Sequence, residues 1–517
     1  MRTTVVRPQD PELQAAVRLA LLFAAIKLAL HIAVNLYQAH LGWGYFRDEF
    51  YYIACGRHLA WGYVDHGPLV AVQARLSLAL FGKSLAGIRM LSALAGAARV
   101  FLTGMLAWSL GGKRAAQALA MIGVIAAPIY LALDSFLSMN SAESLFWMLC
   151  LLALIRMLRG GDPRWWIVFG IAAGLGLLNK HSMTFFLLAL LAALLLTPQR
   201  RLLASRWAAL GVGLLLLIAL PNLIWQVQNH WPTLGFLANG RATGKNLSLG
   251  PIAFLAAQIR GLGFLGLLVW VAGLIWLLRQ SQWRWLGWMF LLFFAAMFAL
   301  HAKDYYVAPV YPVLFAAGGI AWEHLTRRRN RAGTLPILEG CTIALSLFTL
   351  PLVLPVLPVE EWLRYTKATH LYSQMANQES MSSGVLPQFF ADRFGWQEEV
   401  DAVTSIYQSL PEADKRIVGI SCGNYGEAGA LEFLGHNLPP VVSGHNNYWL
   451  WGPRGVSGEV MILVSSATPE ELSKTYKSVQ IAGRMENPYA MPFERHNIYL
   501  VRERRTPMDW TKRKLYN

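Results

Sequence analysis

Apolar stretches long enough to cross about 30 Å of hydrocarbon recur about eleven times before residue 358, and this recurrence most constrains the fold. They lie near 15–36, 85–110, 115–132, 141–158, 164–179, 182–197, 207–226, 251–278, 285–301, 305–324 and 336–357. A backbone in lipid must satisfy its own N–H and C=O groups, so each stretch is predicted to be helical. The composition, 55% hydrophobic and 14% charged, fits a polytopic membrane protein with a polar appendage and no ordinary soluble domain. The first stretch contains Arg18, Lys27 and His31 and has no small-x-small cleavage site. It reads as a retained helix whose charges snorkel or face other helices.

The formal net charge of +16 raises the question of nucleic acid, but Lys and Arg fall in short clusters between apolar stretches rather than along one face. The clusters occupy alternate connections: Arg2/Arg7, Lys113-Arg114, Arg156/Arg159/Arg164, Arg200-Arg201/Arg206, Arg279/Arg284 and Arg327-Arg328-Arg329/Arg331. By the positive-inside rule these are cytoplasmic. The connections 37–84, 131–140, 179–182, 227–250 and 301–304 then lie outside, together with everything after 357. No nucleic-acid partner is needed to explain the basic excess.

Beyond Pro358 the hydrophobic runs shorten to strand length, in Arg416–Ser421, Pro440–Ser443, Glu459–Ser465 and Asn497–Val501, and helical patterns alternate with them. The two domains expected are a helical membrane domain, 1–357, with a first outer loop at 37–84, and an α/β domain, 358–517. Thr468-Pro469 marks a helix start. Gly423-Asn-Tyr-Gly-Glu-Ala-Gly lacks the G-x-G-x-x-G spacing and reads more readily as a strand-to-helix turn than as a nucleotide loop. The four cysteines, at 55, 150, 341 and 422, have no metal-ligand spacing; a Cys55–Cys422 disulfide is the one pairing to check.

The predicted outer connections hold the chemistry. Asp48-Glu49 follows the first helix, and acidic residues there either cap a helix start or serve a site, since carboxylates near a bilayer are costly to desolvate without a partner. Tyr51–Trp61 reads as an interfacial helix leading to Asp65 and His66. Glu143 begins another apolar helix and is alone a first-turn dipole partner; beside two other outer carboxylates it becomes a site candidate, with Asp134 a weaker one. Lys180-His181, Arg241, Lys245 and Lys303 lie on the same side. Singly each can snorkel to headgroups; together they form a candidate anion site, and a lipid phosphate is the anion nearest a bilayer. Aromatic residues in Asn446-Asn-Tyr-Trp-Leu-Trp suit sugar stacking or packing.

These landmarks carry a resemblance. Asp48-Glu49, Gly62-Tyr-Val-Asp-His-Gly-Pro-Leu, Met139-Asn-Ser-Ala-Glu, Asn179-Lys-His-Ser, Trp225-Gln with Asn229-His-Trp-Pro, and Lys303-Asp-Tyr-Tyr-Val-Ala-Pro-Val-Tyr-Pro occur in order. With Phe394-Gly-Trp, the Gly423 segment and Ser443-Gly-His-Asn-Asn-Tyr-Trp, the chain resembles glycosyltransferase family 39 and the related lipid A aminoarabinose transferases, of GT-C architecture. The resemblance implies transfer of a sugar from a polyprenyl-phosphate carrier, with inversion, to a lipid, glycan or protein hydroxyl at the periplasmic face of a bacterial cytoplasmic membrane. It gives Asp48 the essential carboxylate role, with Glu49 in support, and puts Asp65 and Glu143 near the sugar or a metal. His66, Lys180, His181, Arg241 and Lys245 are further substrate-binding candidates, and Lys303 with Tyr305 or Tyr306 matches the segment that holds the lipid phosphate.

The family's Pro-Pro is Gly67-Pro68 here, which is expected to loosen that turn. Asp48, Asp65, Glu143, His66 and His230 could supply ligands to a divalent metal ion, but no spacing fixes a coordination sphere, and the cofactor stays unknown. The competing function is a transporter or flippase of lipid-linked sugars, for which broken helices and repeated halves would be the signature; the sequence has no internal repeat.

Overall fold

A computed structural model of the chain describes residues 11–244, 249–331, 333–371 and 384–516. Lys245, Arg2 and Arg7 lie outside the described residues. Every apolar stretch forms helix, but the stretches are not eleven full spans. Among the described residues, six helices are long and apolar enough to cross a membrane: Pro11–Leu41, Leu85–Ser109, Met139–Leu158, Arg206–Gln228, Asp304–Arg328 and Thr334–Leu352. Arg114–Ala126, Trp165–Asn179, Met183–Leu195 and Arg284–Ala299 are shorter apolar helices packed among them.

The stretch near 251–278 is broken, with Pro251–Leu262 and Phe264–Arg279 meeting at 104°. Gly263 makes the corner at φ +78°, a backbone state costly for any residue with a Cβ. It is the one such bent pair among the described residues.

Two sets of connections gather at opposite ends of the bundle, as the charge pattern predicts. At one end the Arg159 guanidinium donates to the Ser109 carbonyl, and the Lys113 amide to Glu323. At the other end the Asn179 amide donates to the Met139 carbonyl, and the Asn222 amide to the Trp61 carbonyl. Inside the bundle, Asp134 is fully buried between Arg99 (2.7 Å) and Lys27 (3.1 Å). That network makes Lys27 and Asp134 structural residues, whereas Arg18 faces outward.

The C-terminal segment contains a five-stranded sheet in the order β2-β1-β3-β5-β4, formed by β1 (Gly419–Cys422), β2 (Val441–Ser443), β3 (Val460–Ser465), β4 (Tyr476–Arg484) and β5 (Asn497–Arg504). β1 is parallel to β2 and β3, while β5 is antiparallel to β3 and β4. The edge strand β4 went unpredicted because most of its side chains are exposed or half-exposed, leaving no apolar run to read. Thr468 caps the Pro469–Ser473 helix, as expected.

The helices Arg47–Arg57 and Leu69–Phe81 each bury a face against the C-terminal segment. Phe50, Ile53, Cys55, Val70 and Ala74 share one buried core with Trp396, Ile420, Ala428 and Ile462. Cys55 and Cys422 are both in this core as free thiols, so the disulfide considered above does not form.

Candidate active site

Asp48 and Glu49 are the second and third residues of the Arg47–Arg57 helix, about 100° apart around its axis, and they face different structures. Glu49 is fully buried. Its carboxylate accepts two 2.7 Å hydrogen bonds from Arg89, one from the Phe46 amide (2.8 Å) and one from the Leu137 amide (2.8 Å). Glu49 is therefore the helix cap and the tie to the bundle, not a group poised for substrate. The Asp48 side chain keeps 29% of its surface exposed and accepts a 2.9 Å hydrogen bond from the Tyr425 hydroxyl.

Tyr425 opens the helix that follows β1. Asn424 caps this helix by accepting from the Gly426 and Glu427 amides, and Glu427 accepts from the Gly423 and Asn424 amides. The Gly423 segment is thus the strand-to-helix turn expected of it, and its tyrosine reaches the candidate carboxylate. The ring stacks on Tyr51 with centroids 4.5 Å apart. Removing only its hydroxyl, Tyr425→Phe, is expected to lower turnover about 10- to 100-fold, the cost of one charge-assisted hydrogen bond, without changing the melting temperature by more than a few degrees. Steady-state kinetics alongside thermal melts will check it.

Aromatic rings continue from Asp48 to the other candidates. The Tyr51 hydroxyl lies 2.9 Å from Asp65 and 3.0 Å from the Asn447 side-chain oxygen, which also accepts from the Val64 amide. His66 is buried edge-on to Tyr51 and Tyr52 and stacked on Tyr63 (4.6 Å). Its Nδ1 donates to the Gly67 carbonyl at 2.8 Å, and burial, opposed by Asp65, holds its pKa down, so the ring is neutral. Burial, reinforced by Asp48 and Asp65, pushes the Tyr52 phenol well up. Gly67 does not loosen its turn. A Cβ there would sit 2.1 Å from the Leu178 carbonyl oxygen, so glycine is what allows this close approach.

Lys180 carries the chain of contacts into the bundle. Its ammonium lies 3.0 Å from Glu143, 2.8 Å from Asn140 and 4.2 Å over the Tyr306 ring. Ser182 also donates to Glu143. Tyr306 is edge-on to Tyr305, and Tyr305 lies within the electrostatic reach of Asp48 and Tyr52. His181 approaches Asn222 at 3.4 Å. Asp48, Asp65, His66, Glu143, Lys180, His181, Tyr305 and Tyr306 therefore form one continuous polar-aromatic cluster at one end of the bundle. Lys303 caps the turn that carries the two tyrosines and has no ion-pair partner among the described residues.

Several expectations change. Lys180 is already paired with Glu143, so among the described cations proposed for an anion only Lys303 combines a place beside this cluster with the lack of an ion-pair partner among the described residues. Arg241 is exposed at the end of the Pro232–Ala242 helix and makes no contact with the cluster. The metal ligands considered above do not converge, and His230 is exposed at a helix end. Trp449 and Trp510 donate their indole N–H groups to each other's carbonyls, which makes Trp449 a packing residue. Tyr51, Asn140, Ser182, Tyr425 and Asn447 were missed. All five stand in segments already singled out, but nothing local shows what they touch.

The chain is similar to several known proteins. The family of dolichyl-phosphate-mannose-protein mannosyltransferases matches residues 65–225. The lipid A galacturonosyltransferase RgtD of Rhizobium johnstonii is 27% identical over 228 residues, 42% of this chain. The chain spans about half, 46%, of that relative's length. The structure of ArnT from Cupriavidus metallidurans bound to undecaprenyl phosphate superposes with a TM-score of 0.59 at 18% identity, covering 93% of this chain and 97% of ArnT. The apo form gives 0.57 at 17% identity, covering 94% and 98%. The chain thus shares the fold of ArnT over nearly its whole length, and residues 65–225 within it match the mannosyltransferase family model.

Proposed function

We propose that this protein is a membrane glycosyltransferase that moves a sugar from a polyprenyl-phosphate carrier to an acceptor hydroxyl. The observation that carries this reading is Asp48: a partly exposed carboxylate, aimed by Tyr425, at one end of a tyrosine-lined cluster whose other end holds Lys180 and Lys303. The solved ArnT binds undecaprenyl phosphate, and RgtD acts on lipid A, which supports a lipid-phosphate donor and an envelope acceptor.

In this mechanism Asp48 accepts the proton of the acceptor hydroxyl as its oxygen attacks the anomeric carbon. The bond from that carbon to the phosphate oxygen breaks, and Lys303 offsets the charge left on the departing polyprenyl phosphate. A single displacement inverts the anomeric centre. Asp65, tied to Tyr51, and Glu143, tied to Lys180, set the positions of the groups that line the sugar. The basic connections gather at the opposite end of the bundle, which supports a periplasmic location for the site in a bacterial cytoplasmic membrane.

Purified protein in lipid vesicles, given an undecaprenyl-phosphate-linked sugar and lipid A or a glycolipid acceptor, tests the proposal. Mass spectrometry should show sugar on the acceptor and none when a nucleotide sugar replaces the lipid donor; the opposite pattern would overturn it. In the same assay Lys303→Ala should raise the donor KM about tenfold or more, as expected for one charge-assisted phosphate contact. An unchanged KM would remove Lys303 from the phosphate site.

A further inference from the structure

A second cluster lies behind Tyr425, where three elements of the C-terminal segment meet. Glu427 is in the first turn of the Tyr425–Leu434 helix, Glu494 is in the turn Pro492–Glu494, and His496 immediately precedes β5. All three are buried, and one ligand atom from each lies within 4.8 Å of the others.

The hydrogen bonds leave this cluster open at its centre. His496 Nδ1 approaches the Phe493 carbonyl at 3.1 Å, so Nδ1 carries the proton and Nε2 presents its lone pair. Nε2 is buried with no hydrogen-bond partner, 3.7 Å from Glu427 Oε1. This is too long for a hydrogen bond and close to the roughly 3.4 Å between two ligands bound at about 2.1 Å with tetrahedral angles. Glu494 Oε2 is likewise buried without a partner, as are both oxygens of Glu399 on the neighbouring Trp396–Ser409 helix.

Polar atoms in such positions ordinarily find a partner. The outer contacts are in place: Asn424 holds Glu427 at 2.8 Å and Glu494 at 3.3 Å, and a carbonyl orients the imidazole, as around metal-bound histidines. Arg47, whose guanidinium lies 5.6 Å from the Phe493 ring, is a nearby fixed cation, but it also lies 3.8 Å from Asp48 and 3.9 Å from Asp392, so it does not balance the three buried carboxyl groups alone. We propose that Glu427, Glu494 and His496 form a buried site for a divalent transition metal, with zinc best suited to one imidazole and two carboxylates. The ion would lock the turn from which Tyr425 reaches Asp48. Neither the proposal nor its test depends on the sugar-transfer reading.

The alternative is a metal-free cluster in which the carboxyl groups share protons, because burial raises the pKa values of Glu399, Glu427 and Glu494, with repulsion from neighbouring carboxylates adding to it for Glu399 and Glu427. Elemental analysis of the full-length protein, purified after growth with zinc and dialysed without chelator, separates the two. The proposal expects about one first-row divalent metal per chain. His496→Gln and Glu494→Gln should each weaken zinc affinity by no less than the roughly 10- to 100-fold typical of losing an outer-shell partner. Zinc added to chelator-stripped wild type should raise its melting temperature, with no rise in either variant. Less than a tenth of an equivalent of metal, and a melting temperature that zinc does not move, would overturn the site. If Glu494→Gln then stabilises the protein, proton sharing is the correct account.

Discussion

Asp48→Asn is expected to lower turnover about 10²- to 10⁴-fold, the range over which a positioned proton acceptor acts, while expression and melting temperature stay near wild type. Asparagine preserves the shape of the side chain and can still accept from the Tyr425 hydroxyl, but it cannot take a proton from an acceptor alcohol. The donor KM should change little, because Asp48 is not the group assigned to the phosphate. Single-turnover kinetics with a lipid-linked sugar is the appropriate measurement. Turnover within threefold of wild type would remove Asp48 from the chemistry.

The adjacent acid should behave in the opposite way. Glu49→Gln or Arg89→Met breaks a fully buried ion pair and is expected to cost about 3–5 kcal/mol, enough to leave much of the protein aggregated on extraction. The loss comes from stranding one charge in a low-dielectric site, with the Phe46 and Leu137 amides also deprived of their acceptor in the worst case. The double variant should therefore lose less than the sum of the two single losses. Size-exclusion profiles and thermal melts read the stability, and activity per folded molecule reads the chemistry. Near-normal activity in the folded fraction of Glu49→Gln would confirm its structural part; a catalytic loss as deep as that of Asp48→Asn, in stably folded protein, would contradict it.

What the sequence makes legible follows from how local each signal is. The apolar stretches declare themselves as helix because lipid imposes the rule residue by residue. The break at Gly263 is invisible because glycine is common in membrane helices and φ is not written in composition. β1, β2, β3 and β5 announce themselves with aliphatic runs, whereas the half-exposed β4 does not. In the candidate site, Asp48, Asp65, Glu143 and Lys180 are marked by being charged at apolar helix ends, a cost that needs a reason. Their partners are not marked. The division of labour between Asp48 and Glu49 depends on Tyr425 and on Arg89, 377 and 40 residues further along.

That separation has a consequence for how the protein is made. The carboxylate leaves the ribosome 377 residues before the hydroxyl that it accepts from. At about 5–20 residues per second, the interval between them is tens of seconds. During that time the Arg47–Arg57 and Leu69–Phe81 helices lack the sheet-bearing segment that completes their core. A nascent chain that stops short of Tyr425 would hold the membrane helices among the described residues and still lack the hydroxyl from which Asp48 accepts. The same dependence makes the half-finished chain a substrate for quality control, because the apolar faces of those two helices stay uncovered until the sheet-bearing segment has been made.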